Sequence, residues 1–156
     1  ELEKLSLYAG EGRRIRAEDV EALTPRTTEQ NVFQLVEEIA GLRPEKAVDI
    51  LHDLLLEKEE PVKLLALIAR QFRLMLSVRE LERQGYPQKQ IASLIGAHPY
   101  AVKVASEQAK RFSAETLARQ LKELADLDMA MKTGAVDKAL GLELYILRLG
   151  AAAKKA

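Results

Sequence analysis

Two histidines, no cysteine and no tryptophan leave this chain of 156 residues few side chains that could do chemistry. The best spaced are Asp49 and His52, three apart, which on a helix would share a face. A di-metal bundle needs two such carboxylate-x-x-His pairs facing inward; the chain has one, with His98 left over. Neither histidine has a nucleophile or acid beside it that would make it a general base. His52 is expected half-buried on a helix face, and His98 at the start of the helix that Pro99 opens. A phosphate-binding loop cradles phosphates in backbone amides just before Lys-Ser/Thr, but Gly10 and Gly12 are followed by Arg13 and Arg14 instead. Lys132-Thr133-Gly134 would serve acyl transfer only beside a Ser-x-x-Lys, which occurs nowhere, so it reads as a helix end. The acidic pairs Glu37-Glu38, Glu59-Glu60 and Asp126 with Asp128 read as solvated helix surface. No catalytic, metal-binding or cofactor-binding set is expected, and no ATP hydrolysis.

One stretch has the spacing of a recognition element. "YPQKQIASLIGAHPYAVKVA", residues 86–105, reads as helix, glycine turn, helix. A helix-turn-helix needs a small residue where its helices cross, a glycine in the turn and an apolar residue facing back, and Ala92, Gly96 and Val102 meet those demands. A groove-reading second helix would present Tyr100, Ala101, Lys103, Ser106 and Glu107, with Lys110 and Arg111 near the DNA backbone. Its first turn lacks the Arg, Asn or Gln that makes most strong base contacts. Lys103, Lys110 and Arg111 are therefore candidate weak contacts to DNA or a partner. Packing of two short helices is the favoured reading, with a helix-turn-helix regulator built on residues 86–111 as the alternative.

Charge supports that order. Lys plus Arg equals Asp plus Glu at 24 each, so no overall field draws the chain to nucleic acid or an anionic membrane. A hydrophobic content of 47% is ample for a core. The absence of cysteine fits a reducing compartment, and the cytoplasm is the expected location. The chain opens at Glu1 inside a helical pattern without a signal-peptide arrangement, and is expected to be part of something longer. "PVKLLALIARQFRLMLSVREL" is the most apolar long stretch, but Lys63, Arg70, Arg73 and Arg79 make it a poor membrane span.

The elements that would position these residues are helices throughout. Little period-two alternation occurs, and glycine or proline marks most junctions. A first helix ends near Gly10, a short one covers about Ala17 to Leu23, and "LTPRTTEQNVF" is a linker running into a capping box, Thr27 with Gln30. Helices then follow at Glu29–Ala40 and Pro44–Glu57. In the long helix opening at Pro61, residues from Leu64 to Leu81 project over an apolar arc of roughly 220°, far wider than a surface stripe, so neighbours must surround it. Leu67 and Phe72 are taken as core. Lys63, Arg70, Arg73 and Ser77 form its wet strip. After the two short helices, Ser113 caps a helix reaching about Thr133, with Leu117, Leu121, Leu124, Leu127 and Met131 inward. Asp137 caps the last, with Leu140, Leu144 and Leu147 as its inner face, Tyr145 outlying, and a fraying tail. The fold class is all-α: a helical bundle preceded by a short helical remnant of a second domain.

Read in order, "ELEKLSLYAG", "IRAEDVEAL", "NVFQLVEEIAG", the stretch from "KAVDILHDLLLEKEEP" to "ERQG", "IASLIGAHPYAVKVA", "QAKRFSAETLARQLKELADLDMAMKTG" and "LGLELYILRL" resemble the C-terminal part of the delta subunit of bacterial DNA polymerase III. The order and spacing of the pieces carry the resemblance over nearly the whole chain. It implies a member of the clamp loader, the assembly that places the ring-shaped sliding clamp on primed DNA. Residues 1–24 would be the end of a helical lid domain, and residues 25–156 the collar domain that joins the ring of loader subunits. It further implies that the clamp is gripped by a domain outside this chain, that primed DNA is met only in the full complex, and that no catalytic residue lies here. The parent would be a subunit of a DNA-directed DNA polymerase holoenzyme whose nucleotidyltransferase activity resides in another subunit.

Overall fold

The computed structural model describes residues 27–155, the last four by backbone alone, as seven helices with no strand among them. They are α1 (Thr28–Ala40), α2 (Pro44–Leu56), α3 (Pro61–Arg83), α4 (Gln88–Ile95), α5 (Pro99–Ala109), α6 (Ala114–Lys132) and α7 (Lys138–Lys155). The helices expected near residues 1–24 and the lid boundary lie outside the described residues.

Local chemistry sets the helix ends. The Thr27 hydroxyl accepts from the Gln30 amide at 3.1 Å while the Gln30 side chain accepts from the Thr27 N–H at 2.8 Å, the reciprocal capping box. Pro44, Pro61 and Pro99 take first helical positions, where a missing N–H costs nothing. Ser113 accepts from the Thr116 amide at 3.0 Å and Asp137 from the Leu140 amide at 2.8 Å. Lys132-Thr133-Gly134 is the end of α6, with Thr133 as its C-cap. Gly96 closes α4 at φ 69°, a left-handed conformation that a Cβ would strain, and so sets the angle at which α5 leaves.

Helix α3 is the axis of the bundle, touched by α1, α4, α5, α6 and α7. Leu64, Leu65, Ile68, Phe72, Met75 and Val78 are buried on it, whereas Lys63, Arg70, Arg73 and Ser77 are exposed. Leu67 is only partly buried and lies at the edge of the core rather than inside it. The Phe72 ring meets that of Phe112 edge to face, with centroids 5.8 Å apart at 72°. Polar links between helices accompany the packing. Arg79 of α3 donates to the Ala109 carbonyl at 2.8 Å and to that of Phe112, satisfying the otherwise orphaned end of α5. Gln71 donates to Gln108 and Gln108 to Glu37, each at 2.8 Å, which ties α3, α5 and α1 together.

Two expectations are overturned by packing. Leu142, Tyr145, Ile146 and Leu149 are the buried face of α7, while Leu140, Leu144 and Leu147 stand in solvent. Two apolar stripes share this helix, and its contacts with α2, α1, α6 and α3 select the other one. Gly150 allows a close crossing: a Cβ there would stand 2.6 Å from Pro44 Cβ of α2. Glu38 is not solvated surface but buried, because the turn after α1 brings Arg43 back onto it at 2.5 Å. His52 lies half-exposed on the face of α2, as expected, and its Nε2 is 3.0 Å from Glu143 Oε1 of α7. The helical backbone of α7 extends to Lys155.

Candidate interaction surface

The histidines, acids and hydroxyls do not converge. Among the described residues no group of three or more His, Asp or Glu could hold a metal ion. His98 is the N-cap of α5, its Nδ1 accepting from the Tyr100 amide at 3.0 Å, as its position beside Pro99 leads one to expect. Asp49 and His52 are both exposed, and His52 points to Glu143 rather than to a second pair. Among the described residues, no helix is long and apolar enough to cross a membrane.

The helix-turn-helix geometry does form. Ala92 and Val102 are buried where α4 and α5 meet, on either side of the left-handed Gly96. Its outward face is less of a reader than the spacing suggested. Ser106, one of the residues that would enter a groove, is buried, and its hydroxyl donates to the Glu82 carboxylate of α3 at 2.9 Å. Lys103, Lys110 and Arg111 are all exposed. Lys103 and Lys110, seven apart and so about 10 Å along a helix, fall on nearly the same side. Arg111 instead lines a small polar cleft of about 240 Å³ that also holds Glu37, Arg43 and Glu107, so it faces mixed charge rather than a basic patch. Replacing all three with glutamine is expected to change stability by less than about 0.5 kcal/mol, as exposed substitutions usually do. A chemical melt checks this. Phosphate-gripping side chains would instead reveal themselves as a DNA-binding salt slope reduced by about two to three.

Electrostatics at the α1–α2 turn predicts a pH response. The hydrogen bond from Arg43, helped by one from Gln34 at 3.0 Å, holds the Glu38 carboxyl below the usual carboxylate range despite its burial. Thr28 does the same for Glu59 through a 2.6 Å bond, with Lys63 adding to it. A carboxylate whose pKa is lowered by folding stabilises the fold above its unfolded pKa, and that contribution is lost as pH falls through the folded value. The melting temperature is therefore expected to hold from neutral pH to about 5 and to fall below about 4.3, the ordinary glutamate value. Arg43→Gln should flatten part of that fall. An unchanged acid limb in the variant would show that the pair contributes nothing.

An apolar stripe is exposed on α7. Leu140, Leu144 and Leu147 are 53%, 49% and 43% exposed, spaced four and three apart, and so run as one stripe. Beneath them Tyr145 is 1% exposed, and burial pushes its hydroxyl well above the normal range, with no hydrogen-bond partner among the described residues. Reading the helix from sequence missed this surface by assigning the stripe to the core. The available signal was that α7 is apolar on two sides, which a helix with one covered face does not need to be.

The class defined by these features is an all-α bundle built round one central helix, with an apolar stripe left on its last helix. The chain belongs to the DNA polymerase III delta subunit family, whose C-terminal domain matches residues 29–149. Over 149 residues it is 44% identical to the DNA polymerase III subunit delta of Bacillus subtilis strain 168, covering 96% of this chain and 43% of that one. Its fold is similar to that of the Bacillus subtilis DNA clamp loader delta protein, with a TM-score of 0.85 and 43% identity, over 96% of this chain and 44% of the other. The chain thus spans less than half the length of the relative it matches. The family read from the order of the helical segments is the one these matches show.

Proposed function

We propose that this chain is a non-catalytic assembly module of the DNA polymerase III clamp loader, holding its parent subunit in the loader ring by helix-to-helix contact. The observation that carries the reading is the leucine stripe of α7, an apolar surface that the fold itself leaves uncovered. Its partners are the other loader subunits. The chain carries no chemistry of its own, and nucleotide transfer belongs to another subunit of the holoenzyme. Residues 1–24 serve as the end of the lid and residues 25–156 as the collar, in the cytoplasm. The sliding clamp is gripped by a part of the parent outside this chain, and primed DNA is met in the full complex. In this role the bundle transmits mechanical movement from neighbouring subunits, for which a rigid axis such as α3 is suited. The test is to mix the purified chain with the other loader subunits on a sizing column. Co-elution is expected with them and not with the isolated clamp. Binding to the clamp alone, or failure to join the loader subunits, would overturn the reading.

The formed helix-turn-helix favours one second reading, a DNA-binding regulator using residues 86–111. Tight, sequence-selective binding at physiological salt, abolished by changing Lys103, Lys110 and Arg111, would establish it in place of the first.

A further inference from the structure

We propose that the groove between α1, α3 and the α4–α5 turn is a docking site for an acidic, amphipathic helix of a partner protein. It lies apart from the α7 stripe and does not depend on the role proposed for that stripe. The groove has a volume of about 590 Å³. Its floor is apolar, made by Val32 and Phe33 of α1, Leu67 and Leu74 of α3, and Ile95 at the end of α4. Phe33, Leu67, Leu74 and Ile95 are each only partly buried, so the bundle leaves this floor incompletely covered.

Charge selects the occupant. Arg70 and Arg73 line one wall, both exposed, and neither forms an ion pair with a described residue. The arginines at 43, 79 and 83 behave differently: each spends its guanidinium on a carboxylate or on backbone carbonyls. Arg70 and Arg73 are one turn apart, about 4.5 Å along the axis, which matches carboxylates three or four apart on a facing helix. Arginine forks bind such carboxylates in two-point fashion. His98 adds a donor, because its Nδ1 already accepts from Tyr100 and the neutral ring then carries its proton on Nε2. Glu29 sits at the lip and opposes a phosphate backbone, whereas a peptide helix can set a basic residue against it. Leucines spaced three and four apart on the incoming helix fill the apolar floor, the mode by which amphipathic helices bind grooves.

Fluorescence anisotropy on the full chain tests this with three labelled probes: an acidic helix of about 18 residues (five turns) with leucines at that spacing, the same peptide with lysine for each glutamate, and oligothymidylate. The acidic peptide is expected to bind and the basic one to bind about tenfold more weakly or less. Arg70→Glu with Arg73→Glu should weaken the acidic peptide by about tenfold or more and restore binding of the basic one. Ser77→Trp, which blocks the groove without altering its charge, should also weaken the acidic peptide. These positions are exposed, and circular dichroism verifies that the variants fold. Absence of acidic-peptide binding at millimolar concentration, or binding indifferent to both variants, would overturn the proposal. Oligothymidylate that displaces the acidic peptide and is itself lost in the arginine variant would reassign the groove to nucleic acid.

Discussion

Phe72→Ala is expected to lower stability by about 3–5 kcal/mol, the range for truncating a fully buried aromatic. Phe72 is inaccessible to solvent at the middle of α3 and meets the Phe112 ring, which lies in the connection between α5 and α6. Removing it loses the transfer energy of the ring and opens a cavity, and it also removes the edge-to-face contact. The surrounding helices can collapse only partly, because α3 is held on several sides at once. For a domain of this size the melting temperature should fall by roughly 10–20 °C. Leu67→Ala should cost clearly less, since Leu67 lies at the groove edge, where its solvent-facing side leaves no closed cavity. Thermal and urea melts followed by circular dichroism give both values. A loss at Phe72 below about 1 kcal/mol would sink the reading of α3 as the buried axis.

Replacing Leu140, Leu144 and Leu147 together with glutamate is expected to abolish co-elution with the other loader subunits while the fold survives. All three side chains are substantially exposed and none belongs to the buried core, so the fold tolerates their replacement. Leu140 also stands in the first turn of α7, where a negative charge suits the helix dipole. At an interface the same change replaces three buried apolar groups with carboxylates. Each costs at least about 1 to 2 kcal/mol, a combined loss in affinity on the order of a hundredfold or more. Tyr145→Ala provides the contrast. It removes a buried aromatic from the opposite face of the same helix and should lower the melting temperature directly. Retained co-elution in the triple variant would move the interface away from α7.

Some of the fold was legible because its causes lie within a few residues of chain. The capping box at Thr27 and Gln30, the proline starts at 44, 61 and 99, the Ser113 and Asp137 caps and the turn glycine at 96 are local chemistry, and the structure has them as read. The central position of α3 was legible for a related reason: an apolar arc that wide has no stable place except among neighbours. The family too could be read from the order of the segments, since relative order and spacing survive in the chain itself.

What the sequence alone determined, then, is the all-α class, most boundaries of the described helices, the central helix and the family. Only the tertiary structure decided which surfaces remain. On α7 both the 140–144–147 stripe and the 142–145–146–149 stripe have helical spacing, and their difference is only that α2, α1 and α6 lie against the second. Glu38 reads like its neighbour Glu37 until the turn folds Arg43 onto it, and Ser106 reads as groove-facing until Glu82 of α3 claims its hydroxyl. The groove holding Arg70 and Arg73 has no counterpart in any single segment, because its walls come from three places in the chain. Periodicity records which residues share a face of one helix. Which face is covered is set by long-range packing, and that information resides in no stretch short enough to carry a period.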